Sequence, residues 1–120
     1  MSLNKVMLIG NVGKTPEIKN FDNGNKVAVF TLATTERYSD RNGDRHEQTE
    51  WHNVSVFGPL AEFVEKYVNV GRNIYVEGKL RTRSYETKSG ERRYTTEIIA
   101  STVELLGKKE SAPDDMPYYE

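Results

Sequence analysis

The sequence of 120 residues contains no cysteine, no long apolar run and only four prolines. Without cysteine the chain can form neither disulfides nor thiolate metal sites, which fits a reducing compartment. No apolar stretch approaches the roughly 20 residues of a membrane span, and the first residues lack the apolar core of a signal peptide. We therefore expect a soluble, cytoplasmic protein without membrane contact, folded as one domain with a modest core.

The sequence also lacks the short motifs of common catalytic sites. It has no GxxxxGK[ST] or GxGxxG loop for phosphates, no HExxH zinc motif and no thiol nucleophile. The histidines, His46 and His52, are more typical of a loop residue and a packed residue than of a metal pair. No pattern brings acids such as Glu50, Glu77 and Glu97 together. We predict a protein that is not an enzyme and needs no cofactor or metal.

The net charge of −1 conceals an uneven distribution. Residues 110–120 hold four acidic and no basic residues, whereas residues 1–109 hold 17 basic and 14 acidic residues, a net charge of +3. Charged tails are often simply solvated, so the pattern alone leaves a binding role for the tail open. We expect a mildly basic domain over 1–107 and a short acidic tail over 108–120.

Periodicity and turn signals predict several strands and one helix. The predicted strands are residues 3–12, 17–21, 26–35, 49–58, 73–85 and 93–106. A short helix is predicted to begin at Pro59 and to end before Gly71. Its apolar stripe consists of Leu60, Phe63, Val64 and Tyr67.

This order of elements indicates an all-β fold with one short helix. With residues 17–21 as a minor strand, the order β-β-β-α-β-β matches the OB-fold, a five-stranded Greek-key barrel. A generic α+β or sandwich domain is the alternative.

Cations and aromatic rings alternate along one face of the predicted strand 73–85. With period two, the inward residues are Ile74, Val76, Leu80 and Thr82, with Gly78 between them. The outward residues are Tyr75, Glu77, Lys79, Arg81, Arg83 and Tyr85. Cations attract phosphates and aromatic faces stack on unpaired bases, so this face favours a groove for single-stranded nucleic acid. The alternative is a surface strand with cross-strand charge pairs.

The stretch TEWHNVSVFG, residues 49–58, places aromatic rings on its polar face. Val54 and Val56 share one face with His52, whereas Trp51 and Phe57 lie on the other. Exposed rings of this size favour a covering ligand or partner chain. The preceding stretch 36–48 adds a second set of basic and aromatic residues, which are Arg37, Tyr38, Arg41, Arg45 and His46. The alternative interpretation of this set is a solvated loop.

Several segments in order resemble the bacterial single-stranded DNA-binding protein (SSB) family. They are NKVMLIGNVG, LATTE, EQTEWHNVSVFG, LAEFVEKYVNVG, IYVEGKLRTRSYE and RRYTTEI, and they span residues 3–106. The resemblance implies an OB-fold that binds single-stranded DNA with little sequence preference during replication, recombination and repair. It also implies a homotetramer in the cytoplasm, associated with the nucleoid.

The resemblance further implies roles for individual residues. The expected base-stacking residues are Trp51, Phe57, Tyr38 and Tyr85, the two tyrosines standing where many members have tryptophan. The expected phosphate contacts combine residues that match the DNA path of the family with basic residues of the two predicted hairpins. They are Lys79, Arg81, Arg83, Arg72, Arg41 and Arg92. The expected oligomer interface comprises Lys5, Met7, Ile9 and His52. Pro59 stands where many members have a basic residue, so no phosphate contact is expected there.

The acidic tail departs most from the family. Members typically have a long Gly/Pro/Gln-rich linker and an acidic tip that closes on Pro-Phe. Here Tyr119 and Glu120 follow the residues that mimic this tip, which are Asp114, Asp115, Met116, Pro117 and Tyr118. The tail is expected either to contact replication and repair proteins or to compete with DNA for the basic groove.

Two other functions remain open at this point. One is an OB-fold adaptor of a replication-restart complex that acts mainly through protein contacts. The other is a cold-shock-like RNA binder.

Overall fold

The computed structural model describes residues 1–107. The predicted tail lies outside the described residues, including Asp114, Asp115, Met116, Pro117 and Tyr118. The described part forms strands β1 (Val6–Val12), β2 (Glu17–Asn20), β3 (Lys26–Ser39), β4 (Arg45–Phe57), β5 (Asn73–Glu86) and β6 (Arg92–Leu105), with helix α1 (Pro59–Tyr67) between β4 and β5. No helix within residues 1–107 is both long and apolar enough to cross a membrane.

Five of these strands close into a barrel. The sheet order is β1-β5-β6-β4-β3-β2, and an additional pairing of β1 with β3 closes the ring. At the closure, a Cβ on Gly10 would overlap the carbonyl oxygen of Ala33, so only glycine lets β1 cross β3 this closely. The short strand β2 pairs with β3 outside the ring. The prediction of a five-stranded OB-fold barrel with one short helix is confirmed.

The hydrophobic core fills the barrel and the space beneath α1. Its largest fully buried side chains are Phe30, Leu32, Ile74, Val54, Val56, Val64 and Val76. The helix begins at Pro59, as predicted, but it buries Ala61 and Val64 most deeply. Tyr67, predicted to be buried, is 42% exposed because it lies at the border of the packed face, against the ring of Phe63.

Two long hairpins extend from the barrel. The pairing of β3 with β4 continues to Ser39 and Arg45, so the predicted strands 26–35 and 49–58 are longer than their apolar patterns indicated. Strand β5 is exposed on both faces from Lys79 to Glu86. Leu80 and Thr82, predicted to face inward, are therefore not buried; Leu80 is 49% exposed although its register partner Ile98 on β6 is 3% exposed and belongs to the core.

Candidate nucleic-acid interface

The outward side of the barrel brings together aromatic and basic residues from three strands. On β4, Trp51 and Phe57 point outward with Ser55 between them. Ser55 contacts Glu97 of β6, and Glu97 in turn contacts Arg81 and Arg83 of β5. The predicted stacking residues of β4 and the predicted arginines of β5 thus belong to one continuous surface.

The ring of Trp51 is an exposed platform. Its side chain is 61% exposed, opposite Ala33 on β3. A Cβ on Gly13 would overlap Cζ3 of Trp51 and would lie 2.6 Å from the hydroxyl oxygen of Thr31. The ring therefore lies across the backbone of Gly13, which supports one side and leaves the rest open. The sequence pattern assigned no role to Gly13, which follows the predicted strand 3–12, since a contact with residue 51 leaves no local signal.

Phe57 is the last residue of β4, and its ring lies beside a cationic side chain. Its ring is 45% exposed, and Cζ of Arg81 lies 6.0 Å from the ring centroid. This distance is at the outer limit of a cation–π contact. A base stacked on Phe57 would thus have a guanidinium group close by for its phosphate.

A buried carboxylate holds the two arginines of this surface. Glu97 is 4% exposed, and its Oε1 accepts a hydrogen bond of 2.6 Å from the Ser55 hydroxyl. Its Oε2 accepts from Nη2 of Arg81 at 3.2 Å and forms an ion pair of 2.7 Å with Nε of Arg83. Each guanidinium keeps further N–H donors that do not contact Glu97 and could bind phosphate.

Glu97 is ionised in this setting. Burial alone would raise its pKa, but the hydrogen bond from Ser55 and the two guanidinium groups outweigh burial, so the pKa of Glu97 is lowered. In the sequence, Glu97 stands as an isolated acid. The hairpin register that places it opposite Arg81 was the signal that could have identified it.

The hairpins carry the remaining predicted aromatic residues. Tyr38, 50% exposed, stacks on His46 with ring centroids 5.3 Å apart. Nε2 of His46 lies 2.7 Å from a carboxylate oxygen of Asp40, and this hydrogen bond, with backbone amides of the turn, lowers the pKa of Asp40 although partial burial opposes it. Tyr85, 51% exposed, lies on the other hairpin. The structure thus places Tyr38 and Tyr85 on separate hairpins.

The predicted phosphate contacts differ in exposure. Lys79, Arg81 and Arg83 lie exposed along β5, Arg41 lies in the β3–β4 turn, and Arg92 begins β6, where it donates to Ser84 at 3.1 Å. Arg72 is half-buried, with Nη2 at 3.4 Å from the carbonyl oxygen of Gly107. Its Nε is buried without a hydrogen-bond partner among the described residues. Arg72 is therefore less accessible to a phosphate than the other five.

The predicted interface residues of β1 form an exposed apolar strip. Met7 and Ile9 are 62% and 59% exposed, and they pair in register with Glu77 and Tyr75 of β5. Beside the strip, Lys5 forms an ion pair of 3.0 Å with Glu77. His52 is half-buried, and its Nε2 lies 2.9 Å from the Thr34 hydroxyl.

Within residues 1–107, no group of three or more histidine or acidic side chains could hold a metal ion. The groups that this interface exposes to a ligand include side-chain cations, hydrogen-bond donors and aromatic faces. These are the groups that bind a flexible polyanion with exposed bases.

Comparisons with known proteins agree with this geometry. The model of the single-strand binding protein family matches residues 3–106. The chain is 54% identical over 111 residues to a single-stranded DNA-binding protein of Bacteroides thetaiotaomicron, covering 91% of this chain and 69% of that relative. It is 42% identical over 120 residues to a single-stranded DNA-binding protein of Neisseria meningitidis serogroup B, covering 100% of this chain and 69% of that relative.

A solved structure shares the fold as well. The Plasmodium falciparum SSB in complex with ssDNA matches with a TM-score of 0.82 and 41% identity, covering 89% of this chain and 97% of that chain. The family match covers nearly the whole described barrel, and both relatives exceed 40% identity. The chain belongs to the single-strand binding protein family.

Proposed function

We propose that this protein binds single-stranded DNA without strong sequence preference, and that it protects and organises exposed strands during replication, recombination and repair. It does so without a catalytic step. The observation that carries this proposal is the surface where Trp51 and Phe57 lie open beside Arg81 and Arg83. The SSB–ssDNA complex that shares the fold supports the same ligand.

In this proposal the aromatic rings bind bases and the cations bind the backbone. Trp51 and Phe57 stack on bases directly on the barrel, and Tyr38 and Tyr85 extend stacking onto the two hairpins. Base–aromatic stacking contributes roughly 1–3 kcal/mol per base and tolerates any sequence, since every base has a π face. The backbone follows the proposed phosphate contacts, which are Lys79, Arg81, Arg83, Arg41 and Arg92, with a lesser share for the half-buried Arg72.

Duplex DNA fits this surface poorly. A duplex reader needs a helix or ribbon of groove size with side chains directed at base edges. The one helix among the described residues, α1, has nine residues and exposes the acidic Glu62 and Glu65. Exposed aromatic rings also contribute little to binding a duplex, because its bases are already stacked on each other.

We further propose that the β1 strip with Lys5, Met7 and Ile9, together with His52 of β4, joins copies of the chain into a homotetramer. Two large apolar side chains more than half exposed on one strand favour burial against a second copy. Contacts with replication and repair proteins are proposed for the acidic tail, and the protein is proposed to act in the cytoplasm, at the nucleoid.

The single tryptophan provides the test. Emission of Trp51 is followed while the protein is titrated with poly(dT), with duplex of equal length and with poly(U), at low and high salt. Strong quenching by poly(dT) and weak or no quenching by duplex is expected, with affinity falling as salt rises. No quenching by poly(dT), or a clear preference for poly(U), would overturn the proposal. A stable dimer with only micromolar DNA affinity would favour the adaptor instead.

A further inference from the structure

A groove next to Phe57 contains a second exposed ring, that of Phe21. Phe21 follows β2 and is 51% exposed, and both rings line one groove of about 340 Å³. The other residues that line it are Asn25, Lys26, Val27 and Gly58. Neither the strand periodicity nor the resemblance to the family assigns a role to Phe21.

Backbone hydrogen bonds hold the two segments that carry the rings of this groove. The N–H of Phe21 donates to the carbonyl of Asn25 at 2.8 Å, and the N–H of Gly24 donates to the carbonyl of Phe21 at 2.9 Å. On the other side, the N–H of Gly58 donates to the carbonyl of Lys26 at 2.9 Å, which ties the end of β4 to the start of β3. Little backbone ordering would be needed when a ligand enters a groove fixed in this way.

The groove is chemically suited to an uncharged flat ring. Val27 pairs in register with Phe57, is 8% exposed and lines the groove, so it forms an apolar floor. The ammonium group of Lys26 is bound by Glu65 of α1 at 2.5 Å, which leaves its alkyl stem as the part that suits an apolar ligand. A base between two phenyl rings fits these walls better than a phosphate does.

We propose that Phe21 and Phe57 form an additional base-stacking subsite for single-stranded DNA. The subsite continues the path at Phe57, whose ring also lies near Arg81. A bound strand therefore passes from the arginine pair over Phe57 and into the groove under the β2–β3 turn. This inference rests on the proposed function, because it assigns one more nucleotide position to the same ligand.

A relocated tryptophan tests the subsite directly. In the variant Trp51→Phe, Phe21→Trp, the only tryptophan lies in the groove, and poly(dT) should quench its emission. The matched control is Trp51→Phe, Tyr67→Trp, which places the ring on α1 at a similarly exposed position, 42% against 51%. The control should show little quenching.

A simple deletion gives the second readout. Phe21→Ala in the otherwise unchanged chain should weaken poly(dT) binding by roughly fivefold or more, the loss of one stacked base. The salt dependence should not change, because no phosphate contact is removed. Circular dichroism and thermal unfolding of each variant show whether the barrel remains folded.

The outcomes separate the subsite from the function as a whole. If poly(dT) quenches Trp51 in the unchanged chain but does not quench the groove tryptophan of the relocated variant, the subsite is refuted and the proposed function stands. If Trp51 itself is not quenched, the proposed function fails first. If Phe21→Ala lowers the oligomeric mass in light scattering and leaves DNA affinity intact, the groove holds another copy of the chain and the subsite is again refuted.

Discussion

Replacing Glu97 with glutamine should change how DNA binding depends on salt. The carboxylate lies beneath the proposed DNA surface, within hydrogen-bond distance of both Arg81 and Arg83. Glutamine has nearly the same shape, and its amide can still bond to Ser55. The substitution therefore removes one negative charge and one strong acceptor while leaving the volume of the buried site unchanged.

The charge effect can be worked out from the cluster. Two guanidinium groups and one carboxylate have a net charge of +1, which becomes +2 with glutamine. At most one more phosphate is then neutralised. The slope of log Kobs against log salt should become more negative by up to about 0.7 for a single strand. At low salt the variant should therefore bind poly(dT) more tightly than the unchanged chain.

The loss of the acceptor acts in the opposite direction. Glutamine can accept well from only one of the arginines, so the other is no longer held for the phosphate. Both guanidinium groups are partly exposed, at 44% and 63%, so the lost contact is discounted for solvent. A cost of about 1 kcal/mol, or roughly fivefold in affinity, is expected where salt screens the charge effect. The plots of log Kobs against log salt for Glu97→Gln and for the unchanged chain should then cross.

The assay is poly(dT) titration of Trp51 emission at several salt concentrations. Glu97→Asp is the matched control, because it keeps the charge but shortens the side chain by a methylene, so it cannot reach Ser55 and both arginines together. It should bind more weakly at every salt concentration with an unchanged slope. Parallel plots for Glu97→Gln and the unchanged chain, with both variants folded, would refute the reasoning that Glu97 limits the charge offered to DNA.

The remaining predictions concern separate parts of the surface. Trp51→Ala should weaken poly(dT) binding by roughly 1–3 kcal/mol with little change in salt slope, whereas Arg83→Ala should flatten the slope; the reverse pattern would contradict both roles. Gly13→Ala should displace the Trp51 ring, seen as a shifted emission maximum and weaker poly(dT) binding, and an unchanged spectrum would count against the contact. Met7→Lys should lower the mass measured by light scattering if β1 joins copies of the chain, and an unchanged mass would exclude that interface. Because the pKa of Glu97 is lowered, its contribution to stability is present above the ordinary glutamate pKa and is lost as the pH falls through the lower pKa of the folded state, so the Tm difference between the unchanged chain and Glu97→Gln should shrink in acid; a difference that grows in acid would show the opposite shift.

The sequence predicted side-chain orientation best where the local apolar pattern coincides with the burial of the side chains. Within the barrel, alternation along β4 correctly separates buried Val54 and Val56 from exposed Trp51 and Phe57. The same rule overestimated the burial of Leu80, which is 49% exposed although it pairs with the core residue Ile98. The order of the strands and the single helix, together with the family resemblance, were enough to predict the barrel.

What could not be predicted depends on contacts between distant segments. Gly13 supports a ring 38 positions further along the chain, and Ser55 contacts an acid 42 positions away. Neither contact produces a repeat, motif or charge run. Glu97 could have been found only by pairing β5 with β6 in the correct register, because the register places it opposite Arg81.

The buried carboxylate shows how this surface can combine long flexible cations with a defined binding path. Free arginine side chains lose rotamer freedom when they bind a phosphate, and that loss weakens binding. Glu97 orders both arginines before a ligand binds, Arg81 through a hydrogen bond of 3.2 Å and Arg83 through an ion pair of 2.7 Å. At the proposed phosphate contacts, the same carboxylate would oppose the phosphates by one charge. The protein would then exchange part of its salt-dependent attraction for order, which suits a protein that must hold a strand in register with its aromatic rings and still release it.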